Sequence, residues 1–307
     1  MLEVCLKENI LLLDHVIVTA LGLEKKESSL AYAVQKVRGE ELNRVKEVNM
    51  ITALAGKAAG VQVSKNSSGM GGSAKVSIRG VRSVAGDNQP LYVIDGVPML
   101  NSTSEQAYSA IGGTANAGNR DGGDGISNLN PEDVESISIL KGAPAAALYG
   151  SQAANGVILI TTKKGNTVGR RDIHFSTGLT FEKAFSLPEM QNSYGVSDVT
   201  DSWGEKENLT VYDNLGDFFR TGLTSITSVS VNSGNDKLQT YFSYANTTGR
   251  GILNENKLSK HNINLRETAV LFNSRLKLDG NVNVMKQTVK NKPVSGGFYI
   301  CLLYTSP

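Results

Sequence analysis

The spacing of apolar positions along this chain changes once, near residue 165. Before that point the apolar residues form short runs broken by Gly, Asn, Ser and charged positions. Asp14-His15-Val16-Ile17-Val18-Thr19-Ala20 is β-branched and predicts an extended segment. The charged residues 24–30 predict a linker. Tyr32–Val37 reads as a strand and Asn49–Ala59 as a helix, with Asn49 as its N-cap and Gly60 just past its end. Val61–Val63, Lys75–Arg79 and Leu91–Ile94 predict strands, the last running into a turn at Asp95-Gly96-Val97-Pro98. Residues 101–128 are a long polar stretch rich in Ser, Asn, Ala, Gly and Asp, of the kind that is usually functional. Asn130-Pro131-Glu132-Asp133 carries a cap, a first-turn proline and two acids, which predicts a helix start. A strand over Ser136–Lys141, a short helix over Ala143–Gly150 and a buried strand over Gly156–Lys163 complete a small α/β or α+β unit.

After Gly165 the period becomes two. Ile173, Phe175, Thr177, Leu179 and Phe181 alternate with polar or small residues, as do Leu276, Leu278, Val282 and Val284. Ser228–Val231 and Leu238–Tyr244 flank a Gly- and Asn-containing hairpin turn, and Ile263 and Leu265 begin another alternating run. Strands of about ten residues with one apolar face fit a transmembrane β-barrel or a soluble sandwich. By frequency alone the soluble architecture is the commoner.

Composition narrows the chemistry. With 31 Lys and Arg against 29 Asp and Glu, the net charge of +2 argues against a nucleic-acid surface built on bulk charge. The 2 cysteines lie near opposite ends, which excludes a disulfide framework and a CxxC site. The 3 histidines are far apart, so no zinc site is expected, and no metal or other cofactor is assigned. No apolar run approaches the ~20 residues of a membrane-spanning helix, and Glu3, Lys7 and Glu8 interrupt any signal-peptide core. Gly69-Met70-Gly71-Gly72-Ser73-Ala74 matches a dinucleotide fingerprint in outline, but a strand follows it where a helix is required. No GxSxG, P-loop or Ser/His/Asp set is present, so an enzyme is not expected.

Several blocks together carry a resemblance. Val18-Thr19-Ala20-Leu21-Gly22, Ala55-Gly56-Lys57-Ala58-Ala59-Gly60-Val61-Gln62-Val63, Ile78-Arg79-Gly80 and Gln89–Pro98 come first. Asn130–Ile137, Leu140-Lys141-Gly142 and Ala146–Lys163 follow in the same order. In these blocks the chain resembles the N-terminal part of SusC/RagA-type TonB-dependent outer-membrane transporters of Bacteroidota.

The resemblance implies an α+β plug domain over residues 25–166, preceded by a Ton-box-like segment over 14–24. The first antiparallel strands of a transmembrane β-barrel would follow over 172–298. The family's barrel has about 22 strands, so this chain would be an incomplete wall and a fragment of a longer protein. Residues 1–13 and 299–307 depart from the family pattern. The implied function is proton-motive-force-driven import of a nutrient, a glycan by family frequency, across the outer membrane, with the plug reachable from the periplasm. Implied partners are TonB with ExbB and ExbD, a SusD-like surface lipoprotein, the nutrient and outer-membrane lipid. A receptor that signals occupancy, or a soluble β-rich binding module, are the alternatives.

The resemblance also distributes roles. Asp14, His15, Val16, Ile17, Val18, Thr19 and Ala20 would bind TonB as an added strand, although His15 stands where an acid is expected. Arg79, Asp95, Glu132, Glu135 and Lys141 would contact the barrel wall. Asn101, Ser102, Tyr108, Asn119, Arg120, Asp121 and Asp124 would form a substrate-facing loop. The spacing of Asp121 and Asp124 fails the EF-hand pattern for calcium.

Overall fold

In the computed structural model the described residues are 16–18, 24–26, 34–65, 70–83, 88–99, 101, 123–167, 169–187, 193–195, 204–206, 214–272 and 275–290. They form an N-terminal α+β domain followed by a separate five-stranded antiparallel wall. Among them no helix is long and apolar enough to cross a membrane.

Strands β1 (Val16–Val18) and β2 (Glu24–Lys26) pair antiparallel, Val16 opposite Lys26. Residues 24–26 are therefore a strand and not linker, because main-chain pairing does not require apolar side chains. The core of the domain is a five-stranded sheet made of β3 (Val34–Arg38), β6 (Leu91–Ile94), β7 (Val97–Met99), β8 (Val134–Leu140) and β9 (Val157–Thr162), in the order β3-β8-β9-β6-β7. Only β6 and β9 run parallel. A second pair, β4 (Val61–Lys65) and β5 (Ala74–Ile78), lies apart from it.

Both faces of the large sheet are covered, and the strand sequences show it. On β9, Ile158 and Ile160 pack into one cluster with Leu42, Ile51, Leu54, Val76 and Ile126, while Val157 and Leu159 pack into another with Ala145 and Ala153. The short helix α1 (Gly39–Leu42) supplies Leu42 to the first layer, and α2 (Ala143–Tyr149) supplies Ala145 to the second. On β8 the alternation slips, so that Val134 and Ile137, three apart, share one face. A register shift between Val134 and Ser136 absorbs the extra residue as a bulge.

Two predicted helices are shortened. The 49–59 stretch forms one 3-10 turn, Thr52–Leu54, followed by irregular turns. Its six consecutive residues from Asn49 to Leu54 are all buried, which no single helical face allows, and Gly56 and Gly60 take positive φ of 74° and 69°. Asn130 does cap, accepting from the Glu132 amide at 3.2 Å, but the helix is a single 3-10 turn, Pro131–Asp133, before β8 begins. The Asp95-Gly96 turn is a two-residue hairpin between β6 and β7 with φ of 48° and 88°, matching the right-handed strand twist.

The wall consists of β10 (Arg171–Glu182), β11 (Gly222–Gly234), β12 (Leu238–Arg250), β13 (Lys257–Leu271) and β14 (Leu276–Lys290), each paired antiparallel with the next. The connections at one end are short, 235–237 and 272–275; at the other they are 183–221, which includes α3 (Asn214–Phe218), and 251–256. Alternate residues face the N-terminal domain or turn away. The outward set includes Ile173, Phe175, Leu179, Phe181, Phe242, Ile263, Leu265, Val282 and Val284, all exposed.

Candidate functional site

Strand β13 carries a polar residue at every second position on its inward face: Lys260, Asn262, Asn264 and Arg266. Each of the four donates a hydrogen bond to the N-terminal domain. Lys260 Nζ donates to the Ser127 carbonyl and Asn262 Nδ2 to the Asn128 carbonyl at 2.6 Å. These two carbonyls end the 3-10 turn Gly125–Asn128, where a donor is otherwise wanting. Asn264 Nδ2 donates to Asp133 Oδ2 at 3.4 Å, and Arg266 Nη1 to Asp95 Oδ2 at 3.0 Å.

Arg266 is the centre of the most densely bonded point. Its Nε and Nη2 fork onto Asp279 of β14 at 2.9 and 2.8 Å, and its Nη1 also reaches Thr162 Oγ1 at 2.6 Å. Asp95 in turn accepts from the Thr162 amide at 2.9 Å and its hydroxyl at 2.6 Å. The side chain of Arg266 is 5% exposed, so this guanidinium lies between two carboxylates with little water.

Asp133, fully buried, sits beside this cluster. It accepts from Tyr241 Oη at 2.9 Å as well as from Asn264, and Tyr241 is the direct cross-strand partner of Arg266. Burial pushes the Asp133 carboxyl above the usual range, opposed by hydrogen bonds from Ser243, Tyr241 and Asn264 and by the charge of Lys163. Burial likewise lowers Lys163, opposed by Asp133, Glu40 and Glu135. On β10, Ser176 Oγ donates to Glu132 Oε1 at 3.0 Å, and Lys46 bonds both residues.

Toward the long-connection end, a cavity of about 340 Å³ opens between domain and wall. Glu47, Asn49, Lys65, Phe219, Asn256 and Gln287 are among its lining residues. Among the described residues no group of three potential metal ligands occurs.

Comparison with known proteins places this arrangement. The TonB-dependent Receptor Plug Domain family matches residues 26–157. The TonB-dependent receptor SusC of Bacteroides thetaiotaomicron is 31% identical over 96% of this chain and 28% of its own length. The chain belongs to the SusC/RagA type of TonB-dependent receptor. TonB-dependent receptor P26 of Formosa agariphila is 35% identical over 58% of this chain and 16% of its own length. The solved RagAB peptide importer in its open-open state shares the fold with a TM-score of 0.68 at 24% identity, covering 90% of this chain and 33% of that one. The chain thus spans about a third or less of the relatives it matches. The family is one of outer-membrane proteins and not of enzymes. The N-terminal domain is therefore the plug and the wall a partial barrel, settling the barrel-or-sandwich alternative. Short turns mark the periplasmic end of such a wall and long connections its extracellular end.

The residues expected to join plug and wall divide. Asp95 and Glu132 reach wall residues Arg266 and Ser176. Lys141 does not; it directly follows β8 and donates to Gln35 Oε1 at 2.8 Å and the Ala59 carbonyl at 2.5 Å, both within the plug. Arg79 is exposed beside Gly142, and Glu135 is exposed near Lys163; neither forms an ion pair with the wall among the described residues. Of the expected substrate-facing loop, Asp124 is instead 4% exposed. It accepts from the Ala74 amide at 3.0 Å, the Ser127 amide at 2.9 Å and Asn49 at 3.3 Å, so it braces the plug interior. Asn101 accepts from the Ile126 amide at 3.1 Å. Ser102, Tyr108, Asn119, Arg120 and Asp121 lie outside the described residues, as do Asp14, His15, Thr19 and Ala20.

The β13 ladder escaped the sequence reading, which followed the apolar Ile263 and Leu265. The complementary signal was present: Lys, Asn, Asn and Arg at strict two-residue spacing mark a face turned to polar acceptors, not to a core.

Proposed function

We propose that this chain is the gating portion of a TonB-dependent importer that admits a nutrient through the outer membrane. The observation that carries the reading is the β13 ladder, in which wall side chains donate and plug atoms accept. The plug keeps its apolar core to itself, from Val37 through Ile160, so sliding it against the wall exposes mainly hydrogen-bonding groups, with a few apolar wall residues such as Leu258. Water can replace each lost bond, which is why a polar seam can open and reclose where an apolar one would not.

In this mechanism TonB, driven with ExbB and ExbD by the proton-motive force, adds the 14–20 segment to its own sheet edge. The pull passes along the main chain into the plug. Arg266 holds Asp95 until the load exceeds the pair, and the plug then shifts to open a path past the wall. No bond in the solute is made or broken. A SusD-like lipoprotein would deliver the solute at the extracellular mouth, where the cavity between plug and wall presents Glu47, Asn49, Lys65 and Gln287. Amide and charged groups of this kind beside Phe219 suit a hydroxyl-rich glycan, the cargo class the SusC relationship favours.

The test is uptake by cells producing the receptor that carries this chain. Val18→Pro removes a main-chain donor from the TonB-binding segment and is expected to abolish accumulation of the glycan while leaving surface binding and receptor abundance unchanged. Unimpaired uptake in that variant would refute the TonB-driven reading.

A further inference from the structure

The barrel side of the cavity between plug and wall carries polar groups that the protein itself leaves unsatisfied. Lys260 of β13 and Gln287 of β14 both line it, and they are direct register partners on the inward face, which puts their Cβ atoms about 4.5–5.5 Å apart. Lys260 is 2% exposed. Its ammonium has three N–H donors, yet among the described residues it meets one acceptor, the Ser127 carbonyl, and no carboxylate within ion-pair distance. Asp124, whose charge acts on it, is already taken up by the amides of Ala74 and Ser127 and by Asn49. The Gln287 side-chain amide has no hydrogen bond among the described residues. Asn256, 3% exposed directly before β13, lines the same cavity, and its buried Oδ1 has no donor among those residues.

A buried cation without a counter-ion and a buried acceptor without a donor are each costly, so their meeting at one cavity points to a ligand that supplies both. We propose that this corner of the cavity binds the carboxylate of a uronic acid residue, which makes the cargo an acidic oligosaccharide. The inference rests on the reading of the cavity as the place where a glycan enters. Two donors on neighbouring strands match the two oxygens of a carboxylate, and the charge-assisted bond to Lys260 is the stronger of the pair. A sulfate ester presents three terminal oxygens and would leave one without a donor from these two residues. A hydroxyl on the same sugar ring donates to Asn256 Oδ1, which a carboxylate alone cannot do. The other charges at the cavity do not compete. Glu47 is held by Lys65 at 2.9 Å, and Glu182 stands on β10, three strands from β13, roughly 14 Å along the sheet.

The experiment uses the whole receptor carrying this chain, purified in detergent. It is titrated by native mass spectrometry with a pool of glucuronate, galacturonate and mannuronate tetrasaccharides, and with the same pool after carboxyl reduction to neutral sugars. Wild type is expected to bind the acidic pool at least tenfold more tightly than the reduced one. Gln287→Glu supplies Lys260 with an internal carboxylate and is expected to lose that preference while leaving affinity for the reduced pool unchanged. Lys260→Gln should do the same, and Lys260→Arg should keep the preference. Gln287 takes no part in the β13 ladder, so its variant reads the site even where a change at Lys260 unseats the plug. Equal affinity of wild type for the two pools, or an undiminished preference in Gln287→Glu, would overturn the carboxylate site and leave the glycan reading standing. Sulfated neutral tetrasaccharides that bind as tightly as the uronates would also overturn it. Binding of neither pool, with or without binding of an acidic peptide, would overturn the glycan reading and this inference together.

Discussion

Arg266 of the barrel wall and Asp95 of the plug hairpin stand 3.0 Å apart, although they are 171 residues apart in sequence. The pairing depends on a tight turn. Asp95 occupies a positive-φ position of a two-residue hairpin, and this geometry lets its carboxylate engage the amide and hydroxyl of Thr162 while still meeting the arginine.

Arg266→Met is the direct test of that joint. It leaves Asp95, 19% exposed, and Asp279, 30% exposed, without their cation, a change expected to cost about 1–3 kcal/mol, less than for a fully buried pair. The expected outcome is earlier protease access to the plug and a lower thermal midpoint in detergent. Adding Asp95→Asn should cost less than the sum of the two single changes, because the cycle removes both halves of one interaction.

Asp133 sets a pH dependence of known sign. Its folded carboxyl is raised by burial, whereas in the unfolded chain it titrates near the ordinary ~3.9. Between those two values the folded state binds the extra proton, so stability is highest at the acidic end and falls as pH rises through the raised value. Asp133→Asn should flatten this slope in thermal melts across pH. The Asn264 amide can turn to accept from the new side chain, since its Oδ1 has no partner at present.

Gly165, where plug joins barrel, has no room for a side chain. A Cβ there would lie 2.6 Å from the Gln239 main-chain carbon on β12. Gly165→Ala should destabilise by about 1–3 kcal/mol, read as a lower midpoint of heat-dependent gel mobility. Gly280→Ala, on the outward face with open space around it, should stay within about 0.5 kcal/mol.

Asp124 is expected to act as a structural brace. Asp124→Ala takes the acceptor from the buried Ala74 amide, at roughly 1–3 kcal/mol, while the Ser127 amide keeps its bond to the residue 124 carbonyl. Adding or chelating calcium should not move the wild-type melting point, because both carboxylate oxygens already accept hydrogen bonds.

Much of the architecture was legible locally. The switch to period two near Gly165 located the wall, and the Asp95-Gly96 dipeptide marked a tight turn in the plug, because strand alternation and left-handed turn positions are properties of a few consecutive residues. The Asn130 cap was also legible, but the length of its helix was not, since tertiary packing drew Val134 into a strand. The 49–59 helix failed for a related reason: burying six residues in a row, Asn49 to Leu54, mattered more than helical propensity.

The amino-acid sequence by itself determined the family, the α+β plug followed by barrel strands, and the alternation that turns Ile263 and Leu265 outward. Only the tertiary structure decided which charges meet. Lys141 and Arg79 carry the right chemistry for a wall contact yet stay within the plug or in solvent, while Arg266, Asn264, Asn262 and Lys260 make the contacts. The reason is physical: hydrogen bonds and ion pairs act over a few ångströms, and the separations that put two polar groups in reach are set by how the whole plug seats against the wall, not by their neighbours in sequence.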